Sequence, residues 1–464
     1  MNRQLRMLRL FVLPLALVAA GALCHGEAPS RPLAPGVGFA QERREVGPWE
    51  IRTIRLDRAA KYAHLDMALG MGQLRGVEAL TGIIKRETSP TDQVIAGVNA
   101  DFFTMAGNPR AGMVSGLAIH RGELVALAHG RPAFAMMRDG TPRIGTFDTT
   151  GTLETPAGKI PIGDVNNEVP KDAACLYAAI YGWPQTKGCV VLRVGGLPLQ
   201  ANGVWRGTVS QIVPEGVSRE ARSGELLVHA DGEAATTLAK LKPGDAVCLR
   251  LHTPGLGAPV AMAAGGSTEL LHEGKTLVPD DPKAPRHPRT SVGFSPRQIV
   301  LVTVDGRQKG WSMGMTMYEL AGLMRRLGCR EALNLDGGGS TEEWVRGKIM
   351  NRPSDGHERP IANGILVHSS APHGAVTRLL VQPRHVTAAP GARIPLTVSA
   401  TDDWYNPLPL PGALEVIAVR SQGAHFAARL VDGALVLDGE PGEGVVRLGV
   451  EGRPELAAEV RVGR

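Results

Sequence analysis

The sequence has few aromatic residues and few cysteines for its length. Of its 464 residues, 4% are Phe, Trp or Tyr and five are Cys. It contains neither the GxxxxGK[ST] pattern of a P-loop nor the GxGxxG pattern of a dinucleotide-binding turn, which excludes both kinds of nucleotide site. The cysteine spacings match no zinc site. No basic run carries interleaved aromatic residues, so the sequence does not support nucleic acid as a partner.

One long apolar run occurs, near the N-terminus. Three arginines precede the stretch from residue 10 to 23, and Ala20 and Ala22 offer a cleavage site, which predicts an export signal over residues 1–28. The run is shorter than the roughly 20 residues that span a bilayer, so we expect no stable membrane insertion after cleavage. The alternative is a lipoprotein attached at Cys24, but Leu23 is bulkier than the residue that usually precedes a lipidated cysteine. We therefore expect a periplasmic or secreted protein.

Four cysteines lie beyond the predicted signal: Cys175, Cys189, Cys248 and Cys329. Disulfides form in exported proteins. Cys175 and Cys189 flank a polar loop that contains Gly and Pro, so they are the favoured pair if a disulfide forms; unpaired structural thiols are the alternative. The signal also carries three of the arginines behind the net charge of +6. The remaining charge is nearly balanced, which again does not favour a nucleic-acid partner.

The length suggests two or three domains, and 58 glycines with 34 prolines indicate many turns and short strands. We expect an α+β (mixed α/β) catalytic domain with a mixed sheet over residues 45–370. The sequence SSAPHG, Ser369–Gly374, is typical of a linker. Short alternating apolar segments then predict a small immunoglobulin-like β-sandwich over residues 375–464.

The most informative local pattern is a strand, a helix and a second strand. The strands are Ile299–Val304 and Ala332–Leu335, and a capping box opens the helix between them. This order predicts a crossover that leaves the strands parallel, so both end at one edge of the sheet. Each strand is followed by an aspartate and a glycine. We therefore expect Asp305 and Asp336 to meet at this edge, although Asp-Gly is also ordinary turn chemistry.

Asp336 opens the sequence DGGGS. Consecutive glycines let main-chain N–H groups converge on an anion, which predicts a phosphate or sugar site formed by Gly337, Gly338, Gly339 and Ser340. Two aspartates repel an anion unless a cation offsets them. Arg289 and Arg359 are the candidate counter-charges. A structural Ca²⁺ or Mg²⁺ at the aspartates is the other option.

The residues resemble the phosphodiester glycosidase family, which includes bacterial proteins assigned to exopolysaccharide biosynthesis. Together, the matching segments cover most of residues 45–370. They are AGVNADFF (96–103), PRTSVGF (288–294), VDGR (304–307), GMTMYELAGLMRRLGC (314–329), ALNLDGGGST (332–341) and MNRPSDGHERPIANGILV (350–367).

The resemblance implies hydrolysis of a sugar-1-phosphodiester, such as an N-acetylglucosamine-1-phosphodiester, to a free sugar and a phosphomonoester. The implied partner is a phosphorylated glycan or polysaccharide; no cofactor is required, and no oligomeric state follows. The expected catalytic residues are Asp336 as nucleophile or stabiliser and Asp101 or Asp305 as proton-transfer partner. The expected substrate-binding residues are Asn99, Arg289, Thr290, Gly337, Gly338, Gly339, Ser340, Asn351, Arg359 and Asn363.

Three other functions fit parts of the sequence. The pattern GWSMG around Ser312, followed by Asp336 and His357 or His368, is that of a serine esterase, but no strand runs directly into it. The aspartates suit a metal-dependent phosphodiesterase, although the histidines form no evident ligand cluster in the sequence. A glycan-binding protein without activity would use Trp183, Trp311 or Trp344 to stack on sugar rings.

Overall fold

The computed structural model describes residues 30–183, 188–257, 259–387, 389, 391–422, 426–439 and 443–463. The predicted export signal over residues 1–28 and Cys24 lie outside the described residues. Within the described part, no helix is long and apolar enough to cross a membrane.

The chain begins with four strands, one helix and a fifth strand. Their bounds are β1 Arg31–Ala34, β2 Val37–Arg44, β3 Trp49–Asp57, β4 Ala63–Leu69, α1 Leu80–Glu87 and β5 Gln93–Asn99. Four short strands follow: β6 Ala118–His120, β7 Glu123–Ala126, β8 Pro132–Met137 and β9 Pro142–Thr146.

The next seven strands form a closed barrel in the order β10-β11-β12-β15-β13-β14-β16. Its elements are β10 Thr150–Thr155, β11 Gly158–Val165, β12 Ala174–Tyr177, β13 Cys189–Val194, β14 Gly203–Val213, β15 Glu225–Ala230, α2 Gly232–Leu238 and β16 Ala246–His252. Apolar residues such as Leu153, Leu192 and Leu249 fill a core of its own.

After the barrel the chain returns to the sheets that it left. The elements are β17 Val260–Gly265, β18 Thr268–His272, β19 Lys275–Thr276, β20 Arg289–Phe294, β21 Gln298–Val304, α3 Met317–Arg326, β22 Glu331–Asn334, β23 Glu343–Val345, β24 Lys348–Ile349 and β25 Asn363–Ser369. The large sheet has the order β1-β2-β3-β21-β20-β22-β18-β19, and the small sheet has the order β24-β23-β5-β25-β4. A third sheet has the order β7-β6-β17-β8-β9. Its strands β6 to β9 precede the barrel in the sequence, and β17 follows it.

The large and small sheets pack face to face. Ile54 and Leu333 of the large sheet share one apolar cluster with Val98 and Ile365 of the small sheet. Helices cover the two outer faces: α3 packs on the large sheet through Leu320, and α1 packs on the small sheet through residues such as Ile83 and Ile84. Because both faces of each sheet are buried, the central strands are almost continuously apolar.

The remaining ten strands lie in the C-terminal part. They are β26 Arg378–Gln382, β27 His385–Thr387, β28 Arg393–Pro395, β29 Thr397–Thr401, β30 Pro407–Leu408, β31 Leu414–Gln422, β32 Phe426–Val431, β33 Ala434–Gly439, β34 Glu443–Val450 and β35 Arg453–Gly463. They form three small sheets, β26-β29-β30, β27-β35-β34-β31 and β28-β33-β32. The division near residue 370 and the immunoglobulin-like character of this part stay predictions.

The predicted crossover is present, and its two strands run parallel. Both β21 and β22 pair antiparallel with β20, which lies between them, so β21 and β22 are parallel but not neighbours. The capping box is present: the Thr316 side chain accepts from the N–H of Glu319, whose carboxylate accepts from the N–H of Thr316. The local pattern therefore predicted the helix, but the strand that separates β21 from β22 comes from earlier in the chain.

The predicted α+β class is wrong. The protein is mostly β, with 50% of residues in strands and 8% in helices. The described residues contain three α-helices of seven to ten residues. Two of them cover sheet faces, and none builds a repeated strand-helix-strand unit, because most connections between strands are turns too short to hold a helix.

The predicted disulfide is also wrong. Cys175, Cys189, Cys248 and Cys329 are free thiols. Cys175 lies on β12 and Cys189 on β13, and β15 separates these strands in the barrel. The Cα atoms of Cys175 and Cys189 are thus two strand spacings apart, which is about 10 Å, whereas a disulfide needs its two Cα atoms within about 7 Å of each other. Burial raises the pKa of the Cys175 thiol to about 12, which keeps it protonated.

Candidate active site

The candidate site lies where the ends of the two packed sheets meet. Asp336 follows β22 of the large sheet, and its N–H donates to the carbonyl of Ala100, just beyond β5 of the small sheet, at 2.8 Å. The Asn99 side-chain amide donates to the Asp336 carbonyl at 2.7 Å. The end of β5 therefore holds the main chain of Asp336 on both sides and fixes where its carboxylate lies.

Asp336 is the most accessible of the three predicted catalytic aspartates. It is half-buried, whereas Asp101 and Asp305 are buried. Burial raises the pKa of Asp336 to about 6, while hydrogen bonds from Ser340 and from the N–H of Gly337 oppose the rise. The carboxylate is thus held in the open rim of the site, largely ionised at neutral pH.

Asp101 lies behind Asp336. Its carboxylate accepts from the N–H groups of Gly116 and Phe102, both at 2.7 Å, and Arg131 is 4.0 Å away. Burial raises the pKa of Asp101 to about 7, and the nearby charge of Asp336 adds to the rise. Its side chain has 0% exposure, so it contacts solvent only if the structure opens.

Asp305 has a different environment from the other two aspartates. It forms a buried ion pair with Arg52 at 3.1 Å and accepts from the indole N–H of Trp311 at 2.8 Å. The N–H of Arg352 also donates to its carboxylate, at 3.2 Å. Burial raises its pKa, and Arg52 opposes that rise. Because these donors occupy the carboxylate, Asp305 ties the end of β21 to β3 and to the loop after β24.

The three glycines after Asp336 make room for side chains rather than for an anion alone. The N–H of Gly337 donates to the Asp336 carboxylate at 2.8 Å, and that of Gly338 donates to the carbonyl of Pro288 at 3.0 Å. Two of the amides predicted to bind phosphate are thus used within the protein. A Cβ at Gly338, where φ is +63°, would come within 3.1 Å of the Arg307 guanidinium, and a Cβ at Gly339 would collide with that of Arg359.

Three arginines surround this turn. Arg359 donates to Asp355 at 2.6 Å and to the Ser340 hydroxyl at 3.4 Å, with 29% of its side chain exposed. Arg131 donates to the carbonyl of Gly266 and lies over the ring of Phe102. Arg307 is exposed and contacts the His287 ring at 3.3 Å. The site therefore combines two carboxylates that are not fully buried, Asp336 and Asp355, with guanidinium groups that can bind an anion.

Arg289 has its donors engaged by the main chain. Its guanidinium donates to the carbonyls of Met315 and Pro285, at 2.8 and 3.4 Å. Burial lowers the pKa of Arg289 to about 10, and the nearby charge of Arg307 adds to the effect. Arg289 therefore anchors the segment before α3 and lies near Arg307.

The other predicted binding residues connect loops. The Thr290 hydroxyl donates to Asn99 at 2.6 Å. Asn351 accepts from the N–H of Glu343 and donates to the carbonyl of Thr341, both at 2.8 Å. Asn363 accepts from the N–H of Asp101 at 2.8 Å. These side chains hold the two loops that bear Asp101 and Asp336.

Sequence reasoning missed Arg131, Arg307 and Glu342. Arg307 is the last residue of the family segment VDGR, which is the signal that could have identified it. Arg131 follows an ordinary His-Gly turn, and no motif surrounds it. Glu342 accepts from the N–H of Arg359 at 2.6 Å, and its other oxygen is buried without a hydrogen-bond partner. Burial raises the pKa of Glu342 to about 8, and Glu358 adds to the rise. It holds the segment that carries Arg359.

The serine predicted for an esterase has no base beside it. The Ser312 hydroxyl is wholly buried, donates to the carbonyl of Asp305 at 2.6 Å and accepts from the N–H of Glu50 at 3.1 Å. These main-chain bonds close the Asp305–Ser312 loop. Among the three tryptophans considered for sugar stacking, Trp311 bonds Asp305 and Trp344 is half-buried, while Trp183 is 51% exposed.

The histidines are less scattered than the sequence suggested. In the described residues, three or more metal-binding side chains come together at His64, Asp92 and His368, and the three predicted catalytic aspartates form no such group. A Ca²⁺ or Mg²⁺ site at the aspartates stays a prediction, because such a site also draws on carbonyl and water oxygens. The histidine group lies at the other end of the small sheet.

Comparisons with known proteins agree with the resemblance in part of the chain. Residues 199–368 match the family model described as phosphodiester glycosidase. A prophage-derived Bacillus subtilis (strain 168) protein, YomE, is 41% identical over 83 residues. That match spans 18% of this chain and 13% of the length of the relative.

Three solved structures are similar in fold. A protein from Synechocystis has a TM-score of 0.57 at 18% identity, covering 72% of this chain and 62% of its own. A protein from Burkholderia pseudomallei K96243 has a TM-score of 0.52 at 24% identity, covering 69% and 74%. These likenesses show the fold alone. The catalytic domain of zebrafish N-acetylglucosamine-1-phosphodiester α-N-acetylglucosaminidase has a TM-score of 0.39 at 13% identity, covering 74% and 86%, which is too low to argue from.

The matched range includes Asp336, the triglycine turn, Arg307 and Arg359, whereas Asp101 and Arg131 lie before it. The part of the candidate site that follows the barrel is thus the part that the family model covers. The similarity to the phosphodiester glycosidase family is thus shown for the segment from residue 199 to 368.

Proposed function

We propose that this protein is an exported hydrolase that cleaves the bond between a sugar and a phosphodiester, releasing a free sugar and a phosphomonoester. The observation that carries the proposal is that a carboxylate and two guanidinium groups lie side by side at the candidate site. The half-buried Asp336 lies against a glycine turn lined by Arg307 and by Arg359, which pairs with Asp355. Such a site suits a substrate that develops positive charge at one atom and leaves negative charge on another.

Asp336 takes the role of nucleophile or charge stabiliser. Breaking a glycosidic bond builds oxocarbenium character at the anomeric carbon, and an ionised carboxylate stabilises or attacks that carbon. With a pKa of about 6, Asp336 is mostly ionised at pH 7. It is also the member of the aspartate set that a substrate can reach without rearrangement.

Asp101 acts on Asp336 as a positioning residue. Its pKa of about 7 places it near half-protonation at neutral pH, and it lies close enough for the Asp336 charge to affect its titration. A buried carboxyl group that exchanges a proton at neutral pH adjusts the charge behind Asp336. Asp305, already paired with Arg52, has no such freedom.

The arginines take the role that a general acid has in ordinary glycosidases. A phosphate leaving group is already anionic and needs less protonation than an alkoxide, so guanidinium groups can stabilise its charge as the bond breaks. Arg359 is held by Asp355 and by the N–H contact with Glu342, which fixes its direction. The absence of a second accessible carboxylate among the three aspartates fits this chemistry.

The substrate class follows from the same features. A sugar-1-phosphodiester of a glycan or polysaccharide, of the N-acetylglucosamine-1-phosphodiester type, combines the sugar and phosphate that the two halves of the site suit. The export signal predicted over residues 1–28 supports action outside the cytoplasm, where such polymers are exposed.

Product analysis tests this proposal. Purified protein is incubated with a panel of sugar-1-phosphodiesters, including esters of N-acetylglucosamine-1-phosphate, with and without a chelator. We expect free sugar and a phosphomonoester in equal amounts, with the chelator present or absent. Release of sugar-1-phosphate instead would identify P–O cleavage and overturn the assignment.

Replacing the accessible carboxylate tests the role of Asp336. Asp336→Asn keeps the size of the side chain but removes the charge, so we expect turnover to fall by about 10³-fold or more. Asp281→Asn, at an exposed position, is the matched control and should retain full activity. Full turnover in a folded Asp336→Asn protein would end the assignment.

A further inference from the structure

A second cluster of functional side chains lies at the far end of the small sheet. His64 is on β4, His368 is on β25, and Asp92 immediately precedes β5. These three strands are adjacent, in the order β5-β25-β4. His368 lies five residues from Asn363 along β25, which is about 17 Å at strand spacing, so the cluster is separate from the candidate active site.

The pairing of the strands brings the two imidazoles together. His64 and His368 are directly opposite in the antiparallel β4–β25 pair, so both side chains project from the same face. Their ring centroids are 4.9 Å apart with 20° between the planes. His368 Nδ1 is 3.1 Å and His64 Nε2 is 3.8 Å from the same Asp92 oxygen, Oδ2. One donor atom from each residue lies within 4.8 Å of the others.

An ordinary ion pair leaves part of this cluster unexplained. His368 has 1% exposure, and its Nε2 is buried without a hydrogen-bond partner. Asp92 Oδ1 is buried without a hydrogen-bond partner as well. A buried polar atom without a partner costs free energy. A cation bound by both oxygens of Asp92 would satisfy Oδ1.

We propose that His64, Asp92 and His368 bind a divalent transition-metal ion of the Zn²⁺ class. Two imidazole nitrogens and one carboxylate oxygen form a donor set that Zn²⁺ accepts, whereas Ca²⁺ and Mg²⁺ prefer sites built from oxygen alone. His64 is 54% exposed on its side chain, so the ion would be reached from solvent and would complete its coordination with water.

Two neighbours of the cluster have partners of their own. Asp66 pairs through Oδ2 with Arg121, and His373 contacts Gln93 at 3.1 Å.

A bound ion would fasten three adjacent strands at one end of the small sheet. The other end of β5 and β25 supplies Asn99, Asp101 and Asn363 to the candidate active site. The ion would therefore act on stability, and its binding to the folded state alone would raise the melting temperature in proportion to the logarithm of the ion concentration. This inference does not depend on the proposed hydrolase activity.

The experiment is a metal titration of the untagged protein after removal of metals with a chelator. Zn²⁺ binding is measured by calorimetry, and thermal unfolding is followed at increasing Zn²⁺ concentration. The variant is His64→Gln, because His64 is exposed and its loss should not disturb folding. The control is His272→Gln, an exposed histidine that pairs with Glu331 at 3.0 Å much as the cluster histidines pair with Asp92.

We expect one Zn²⁺ per chain and a rising melting temperature in the wild type and in His272→Gln. In His64→Gln, affinity should fall by about tenfold or more, with an unchanged melting temperature when metal is absent. Asp92→Asn should weaken binding in the same direction. Equal Zn²⁺ affinity in the wild type and His64→Gln, or no Zn²⁺-dependent rise in the wild-type melting temperature, would overturn the proposal.

Discussion

At the scale of single residues, the site is built from carboxyl groups whose surroundings differ. Asp336 is half-buried beside arginines, Asp101 is enclosed by main-chain N–H groups, and Asp305 is neutralised by Arg52. In the sequence the three look alike, because each is an aspartate next to a glycine or an aromatic residue. Only their burial and their partners separate a group that can meet a substrate from one that stabilises a loop.

Glu342 makes the clearest prediction at this scale. Its pKa rises from 4.5 to about 8 in the folded protein, so the folded state retains a proton that the unfolded chain releases. Wild-type stability should therefore fall as pH rises between about 5 and 8. Glu342→Gln mimics the protonated group and keeps an oxygen for the N–H of Arg359. We expect its free energy of unfolding to exceed that of the wild type by about 1–3 kcal/mol above pH 8.

Urea unfolding at several pH values measures this difference, which should be small near pH 5 and level off above pH 8. Glu215→Gln, at an exposed position, is the control and should follow the wild-type curve. A Glu342→Gln protein whose stability relative to wild type does not change with pH would show that Glu342 is ionised in the folded state.

At the scale of elements, the glycine turn and the strand ends define the site. β20, β21 and β22 bring Pro288, Asp305 and Asp336 to one edge of the large sheet, and the turn after Asp336 folds over that edge. The turn needs glycine because Pro288 and two arginines lie close to its main chain. Its sequence predicts a binding loop, which stays a prediction, and the structure uses two of the loop's N–H groups internally.

Gly338→Ala tests whether the turn positions Arg307. Alanine at φ +63° should cost about 1–2 kcal/mol of stability, and its Cβ should displace the guanidinium. The matched control is Gly274→Ala, where φ is +79° and nothing lies within 4 Å of the added Cβ. We expect similar losses of stability in the two variants, measured by thermal unfolding, and a loss of sugar-phosphodiester hydrolysis only in Gly338→Ala. Equal activities would show that Arg307 has no role in the reaction.

At the scale of the whole molecule, the chain forms one pair of packed sheets interrupted by a barrel and followed by further β-structure. The barrel, β10 to β16, lies between β9 and β17 in sequence and has its own core. Asp101 and Arg131 come before the barrel, whereas Asp336 and Arg359 come after it. The site is therefore completed only when distant parts of the chain have folded together, which is a long-range arrangement of the kind that folds slowly.

Truncation after Gly374 tests the independence of the C-terminal part. The side chains that form the candidate site all precede Ser369, so we expect the shortened protein to retain activity within about twofold of the full chain. Activity and circular dichroism of both lengths measure this. A folded but inactive shortened protein would show that residues 375–464 contribute to the site.

The sequence alone determined the local elements. The α3 capping box and the strands around Ile299–Val304 and Ala332–Leu335 follow from spacing and propensity, and the structure contains all of them. The family resemblance also followed from contiguous segments, because each motif is a short run of neighbouring residues that is visible in the sequence itself. Each of these features depends on residues that are near one another in the chain.

The tertiary structure decided what these elements do together. It placed β20 between β21 and β22, separated Cys175 from Cys189 by a strand, engaged Arg289 with the carbonyl of Met315 and brought Arg131 close to Asp101. It also paired His64 with His368 across two strands far apart in sequence. Strand order, burial and the pKa values that follow from burial are set by contacts between distant segments, and no local pattern encodes which segments those are.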